Sequence, residues 1–221
     1  MKECMSHNLS NSAYTTNKNK MKIAAALIFA PLVQGFSVVS NSARMTTSLC
    51  AGVGIYCSSS TGNTETVSQY IADAIGGVEY QDIGDTSDDE ILGNDALIVG
   101  APTWHTDADE QRSGTSWDDW LYDTLPNLDM EGKKVAVFGV GDQESYGDYY
   151  CDAAGELYDL FEAKGCKMFG FTSTDGYNHV SSKAERDGKF IGQMFDEDNQ
   201  YDQSEDRAKA WVEQLKTEGF M

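Results

Sequence analysis

From position 51 onward, short apolar runs alternate with longer segments whose apolar residues recur every three or four positions. Ala51–Cys57 (AGVGIYC), Ala96–Ala101 (ALIVGA) and Val135–Val140 (VAVFGV) are near-continuous apolar runs bounded by polar or glycine-rich stretches. Runs of this kind predict strands buried on both faces. Val78–Ile83 predicts a weaker strand, and Lys167–Thr172 predicts a fifth that Phe190–Phe195 resumes. Thr64–Ile75 carries Val67, Ile71, Ala74 and Ile75 at helical spacing and ends at Gly76-Gly77, a common helix stop. Trp117–Leu125, Tyr150–Lys164 and Ser204–Glu218 predict further helices. Buried strands separated by helices predict an α/β fold, a parallel sheet wound with helices on both sides. The polar, Asp-rich residues 173–203 read as an inserted excursion rather than a second domain.

In such a sheet a ligand sits at the carboxyl ends of the strands, where the strand order reverses. The loops after Cys57, Ala101 and Val140 are therefore the candidates. The first is Ser58-Ser59-Ser60-Thr61-Gly62-Asn63-Thr64, where a helix begins. Helix N-termini carry free N–H groups and partial positive charge and so attract phosphate. The loop has no Lys or Arg, and it matches neither GxxxxGK[ST] nor GxGxxG. A triphosphate site wants a Lys and Mg²⁺, which leaves a single terminal phosphate held by neutral donors. Read alone, the loop is equally an ordinary Ser/Thr-rich cap. The second loop, Pro102-Thr103-Trp104-His105-Thr106, places a Trp just past a strand end. The third, Gly139-Val140-Gly141-Asp142-Gln143-Glu144-Ser145-Tyr146-Gly147-Asp148, offers Tyr146 and several glycines that permit close backbone approach. Each ring alone is explained by packing on its own loop. Together, beside a phosphate loop, they describe a site for a flat ring with a phosphate tail.

Charge adds to this picture. The formal net charge is −20, and residues 1–49 hold five basic side chains (Lys2, Lys18, Lys20, Lys22, Arg44) against one acid, Glu3, so the remainder carries −24. A body this acidic excludes direct nucleic-acid binding and suits long-range steering to basic partners. The five cysteines form no CxxC pair. Their odd number fits a reducing compartment, with Cys57 and Cys166 as small core residues. The N-terminal segment is of a different kind. Lys20-Met21-Lys22 precedes an apolar run from Ile23 to Val33 that contains Pro31; it is too short to span a bilayer and reads as a signal peptide. Met21 is a second candidate start. Residues 34–48 are rich in Ser and Thr and free of acids, as in plastid transit peptides. The two together resemble the bipartite leaders of algae with red-lineage secondary plastids, such as diatoms. The expected division is a removed leader over 1–49 and one domain over 50–221, in the plastid stroma, without stable membrane insertion. The other reading, a plain secretory signal, fits poorly with a chain that has no disulfide framework.

SSSTGNTET after the first strand, GAPTW after the third and FGVGDQESYGDYY after the fourth resemble the flavodoxins. STDGY, RDGKF and DEDNQ resemble the inserted segment of the long-chain subgroup, and the likeness runs from about Cys50 to the end. The resemblance implies a flavodoxin-like doubly wound five-stranded parallel sheet in three α/β/α layers, with noncovalent FMN. By position, Ser59, Ser60, Thr61, Gly62, Asn63 and Thr64 take the phosphate, and Trp104 and Tyr146 stack on the two faces of the isoalloxazine. Pro102, Thr103, His105 and Thr106 line the ring from one loop. Gly139, Gly141, Asp142, Gly147 and Asp148 line it from the other. No residue is catalytic and no metal is expected. Departures from the family pattern are His105, where Gly or Asn is common, Tyr149, where Asn is common, and a segment 107–116 longer than in cyanobacterial members, resembling red-algal ones.

The implied function is a low-potential electron carrier rather than an enzyme. A reduced flavin anion held in an acidic protein is destabilised, so electrons are exchanged one at a time between semiquinone and hydroquinone. The resemblance suggests photosystem I as donor and ferredoxin–NADP reductase as acceptor, in place of ferredoxin, with the carrier a monomer. The alternative is a flavodoxin-like NAD(P)H:quinone reductase, but no basic residues offer a site for the NADPH 2′-phosphate. A receiver-type signalling domain needs acids at the first strand end and a phosphoacceptor Asp at the third; Ser58 and Pro102-Thr103 stand there. A flavin-free adaptor is the remaining rival.

Overall fold

Val53–Cys57 forms β1, and every residue in it is buried. In the computed structural model, which describes residues 52–221, β1 lies between two parallel neighbours. These are β2 (Tyr80–Asp82) and β3 (Ala96–Pro102); β4 (Lys134–Val140) follows, and β5 (Lys167–Phe169) extends the sheet. The order 2-1-3-4-5 is that of flavodoxin-like sheets themselves, and it reverses between β1 and β3. The expected leader over 1–49 lies outside the described residues.

The interior strands are buried on both faces because helices cover both. Alternate side chains go to opposite sides. Ile55, Ile98, Ala136 and Phe138 pack against α1 (Asn63–Ile75) and α5 (Tyr201–Thr217). Leu97, Val99, Val135 and Val137 pack beneath α3 (Ser116–Asp119) and α4 (Asp152–Ala163). Gly100 is a packing requirement: a Cβ there would lie 2.0 Å from the Phe138 ring. Cys57 and Cys166 are free and buried in these two cores, as the sequence predicts. Burial pushes the Cys57 thiol up to about 11, which leaves it an inert core group.

The fifth strand is split, with a first half that is shorter than Lys167–Thr172 and a second half inside the expected Phe190–Phe195. It stops at Phe169 because Gly170 turns at φ 83° and the Trp211 indole donates to its carbonyl at 2.8 Å. The chain leaves the sheet, and β9 (Gln193–Phe195) completes the strand by pairing with Phe138–Val140 of β4. Between the halves, β6 (Thr172–Ser173), β7 (Glu185–Arg186) and β8 (Lys189–Phe190) form a small antiparallel sheet. The excursion docks on α4, where a Cβ on Gly155 would meet the Lys183 carbonyl oxygen at 2.3 Å. A short helix that the apolar pattern does not show, α2 (Asp88–Gly93), is started by a reciprocal cap between Ser87 and Glu90. The helix predicted at Trp117–Leu125 starts at Ser116 and loosens into a π turn over Trp120–Thr124 and a 3₁₀ turn over Leu125–Asn127. That widening lets Trp117 and Trp120 meet edge to face at 5.4 Å, both against Phe161.

Candidate functional site

The loops after β1, β3 and β4 converge at the carboxyl end of the sheet, beside the point where the strand order reverses. They enclose a cleft of about 640 Å³ lined by Thr61, Asn63, Thr64, Pro102, Thr103, Trp104, Thr106, Val140, Gly141, Asp142, Tyr146 and Asp198.

One end is the start of α1. Gly62 turns the chain at φ 95°, a conformation natural to glycine. Its N–H donates to the Ser59 hydroxyl at 2.9 Å, which closes the loop. No side chain caps the helix, so its first-turn amides are free for an anion. The Thr64 hydroxyl is buried and has no hydrogen-bond partner. A buried orphan hydroxyl is costly; one that faces a cleft at a helix N-terminus is placed for a phosphate oxygen. No Lys or Arg lines the cleft, in keeping with a ligand of one phosphate.

Trp104 forms one wall and is half exposed, at 50%. Its loop is held at both ends. At the start, the Thr103 hydroxyl accepts from the Ala153 N–H in the first turn of α4 at 3.0 Å. At the far end, the Arg112 carbonyl accepts both the Trp104 and the His105 N–H, each at 3.0 Å. The Asp118 carboxylate gathers the Ser113 and Gly114 amides. His105 turns away from the cleft. Its Nδ1 donates to the Gln111 carbonyl at 2.6 Å and lies 3.7 Å from Asp118.

Tyr146 lines the same cleft from the loop after β4 and is 58% exposed. Its loop is organised by two carboxylates. Asp142 accepts from the Glu144 and Ser145 amides and from Asn199 Nδ2 at 2.8–3.0 Å. Fully buried Asp196 accepts from the Gln143 amide and side chain and from the Asp198 and Asn199 amides. The two acids of the cleft are displaced in opposite directions. Burial raises Asp142, but hydrogen bonds from Ser145, Asn199 and Glu144 outweigh it and leave the carboxyl below its usual range. Asp198 is raised, first by burial and then by the charges of Asp142 and Asp196. The ring end of the cleft is thus at negative potential.

Of the expected site residues, Thr61, Asn63, Thr64, Pro102, Thr103, Trp104, Thr106, Gly141, Asp142 and Tyr146 meet around the cleft. The side chains of Ser59 and His105 serve their own loops instead. Ser60 is exposed and stands outside the lining. Gly139 lies inside β4, where a Cβ would meet Met194, Ala154 and Cys151 within 3 Å, so its glycine serves packing. Gly147 and Asp148 face the excursion: their carbonyls accept from Val180, Ser181 and the Ser181 hydroxyl. Sequence reasoning missed Val140 and Asp198 in the lining and Asp118, Glu156 and Asp196 behind it. The DEDN run at 196–199 was the available sign of the Asp196 turn, since short Asp/Asn clusters organise loops by accepting nearby amides. Among the described residues, no cluster of His, Cys, Asp or Glu is placed to hold a metal, and no helix is long and apolar enough to cross a membrane.

Comparison with known proteins gives a consistent answer. Residues 55–211 match the model of the flavodoxin family. The chain is 43% identical over 169 residues to the flavodoxin of Picosynechococcus sp., covering 74% of this chain and 95% of that protein. It is 41% identical over 170 residues to a flavodoxin of Nostoc sp., covering 75% and 96%. Among solved structures, the Fusobacterium nucleatum flavodoxin bound to flavin mononucleotide superposes with a TM-score of 0.67 at 30% identity, covering 75% of this chain and 97% of that one.

Proposed function

The chain belongs to the flavodoxin family, and from that premise we propose that it is a low-potential, one-electron carrier of the plastid stroma. Its cofactor is FMN. The observation that carries this reading is the cleft itself: two exposed rings, Trp104 and Tyr146, line the same cleft as an uncapped helix start with an unpartnered Thr64 hydroxyl, and no cation lines it. Bound FMN supplies one-electron redox chemistry; the chain supplies position and potential. The α1 amides and Thr64 would hold the phosphate. Trp104 and Tyr146 would exclude water from the two ring faces. Asp142 and Asp198 disfavour added negative charge beside the ring, so electrons would be held weakly and released at low potential.

The acidic body would dock on basic sites of redox proteins, and we assign photosystem I as donor and ferredoxin–NADP reductase as acceptor. The carrier works as a monomer, delivered by the leader at 1–49. The decisive experiment is a visible absorption spectrum of the purified protein, followed by reductive titration. A bound flavin with two well-separated one-electron steps is expected; a single concerted two-electron step or a colourless protein overturns the reading. Direct oxidation of NADPH would favour the quinone-reductase alternative. Electron-transfer rates with both partners should fall as salt rises. A reporter fused to residues 1–49 should reach the stroma, and its secretion would refute the assigned compartment.

A further inference from the structure

Glu156 sits in the middle of α4, outside the cleft lining, with its side chain 4% exposed. Three hydrogen-bond donors and one guanidinium converge on its carboxylate. The Gln111 N–H reaches Oε1 at 2.7 Å and the Arg112 N–H reaches Oε2 at 2.9 Å. The Tyr122 hydroxyl donates to Oε1 at 2.5 Å, and the Arg112 guanidinium lies 3.7 Å from Oε2. Burial, then the Glu156 hydrogen bond and charge, push the Tyr122 phenol well up, as a donor to a buried carboxylate requires. A buried charge this well satisfied is costly to disturb.

The partners matter more than their number. Arg112 is the residue whose carbonyl accepts the Trp104 and His105 amides. Gln111 is the residue whose carbonyl accepts the His105 ring. Gln111 also holds φ 57°, an unfavourable region for a residue with a Cβ, so something must hold the turn in place. A continuous hydrogen-bonded path therefore runs from α4 through Glu156, the Arg112 backbone and the Trp104 amide to the exposed ring of the cleft. Strained turns of this kind persist where the surroundings over-determine them, and the Glu156 carboxylate is what determines this one.

We propose that Glu156 is a positioning residue that latches the 104–112 loop and sets the pose of Trp104 against the flavin, and with it flavin affinity and potential. The inference rests on the flavin-carrier reading. Charge-assisted hydrogen bonds to two consecutive backbone amides fix a loop more firmly than side-chain packing does. The neutral, half-donating amide of Glu156→Gln presents an N–H₂ to one of those donors. Glu156→Asp keeps the charge but withdraws it by one methylene, and it stands in if the amide variant folds poorly.

The test is titration of the apoprotein of full-length wild type and variants with FMN and with riboflavin, followed by flavin fluorescence, with near-ultraviolet circular dichroism of the apoprotein as the check on folding. Glu156→Gln is expected to weaken both ligands by the same factor of about tenfold, the size of one lost charge-assisted hydrogen bond, because it acts at the ring and not at the phosphate. In a Trp104→Ala background the same substitution should change affinity by less than about twofold, the coupling expected of residues in one network. The reduction potential of the low-potential step should move with Glu156→Gln and recover partly with Glu156→Asp. Unchanged affinity, a loss confined to FMN, or an equal loss in the Trp104→Ala background would overturn the proposal while leaving the carrier intact. Failure of the wild type to bind FMN would sink the carrier reading itself.

Discussion

The two ends of the cleft are built by different means. The phosphate end is local: Ser59 and Gly62 close on each other, and α1 starts at the next residue, so its donors come from one stretch of six residues and from backbone amides. The ring end is assembled from afar. Trp104 is held through Arg112 by Glu156, and the Tyr146 loop through Gln143 by Asp196, partners 44 and 53 residues apart in the chain. A local site is fixed once its helix forms; a remote one is only as firm as the buried carboxylates that tie its loops together. Disturbing the second kind should therefore cost stability as well as affinity, and disturbing the first should cost affinity alone.

The largest expected effect tests that distinction at Asp196. Its carboxylate is fully buried and accepts from five donors in two loops. Asp196→Ala leaves those donors without an acceptor and should cost about 3–5 kcal/mol of stability, measured by urea unfolding of the apoprotein, with flavin binding lost alongside. A loss below about 1 kcal/mol would mean that the Tyr146 loop holds itself, and the contrast between the two ends would fall.

Next in size is Trp104→Ala, which removes a ring wall but no tie. FMN and riboflavin should both weaken by about 2 kcal/mol, while apoprotein stability should barely change because the ring is half exposed. Thr64→Val is the counterpart at the phosphate end. It should weaken FMN by about 1 kcal/mol, leave riboflavin untouched, and raise apoprotein stability slightly by removing a buried orphan hydroxyl. Equal losses for FMN and riboflavin in Thr64→Val would place the phosphate elsewhere.

The same contrast explains what the sequence disclosed. β1, β3 and β4 are within two residues of the apolar runs, because strands buried on both faces declare themselves by composition alone. The phosphate loop is legible for a related reason: its donors are consecutive. Trp104 and Tyr146 are legible as residue types out of place, but the groups that aim them are not. Nothing in the helical pattern around Glu156 distinguishes it from a solvated acid, since the amides it binds belong to a loop brought near only by the fold. Gly139 shows the converse. A glycine in a ligand-face loop invites a ligand reading, yet Met194 and Cys151 crowd it from elements remote in sequence. α2 escaped because only Ile91 of its six residues is buried, too little for a periodic pattern to form.

The smallest effect is at Asp198, and it sharpens the comparison within the ring end. Asp142 and Asp198 line one cleft but have opposite linkage. Asp142 has a lowered carboxyl, so the folded state binds its proton less readily than the unfolded chain. Its contribution is present above the ordinary carboxylate range and is lost as pH falls through the depressed value. Asp198 is raised, so the folded state holds its proton more readily, and stability falls as pH rises through that window. At neutral pH ionised Asp198 therefore opposes folding. Asp198→Asn should stabilise the apoprotein there by a few tenths of a kcal/mol, small because the side chain is largely exposed and screened. The gain should vanish below about pH 3, where the wild-type carboxyl is itself neutral. It should also shrink in high salt. Unfolding of both proteins across that pH range at two ionic strengths would settle it. A gain that persists in acid would mean that the introduced amide stabilises by packing or hydrogen bonding, and the negative potential assigned to the ring end would lose its support.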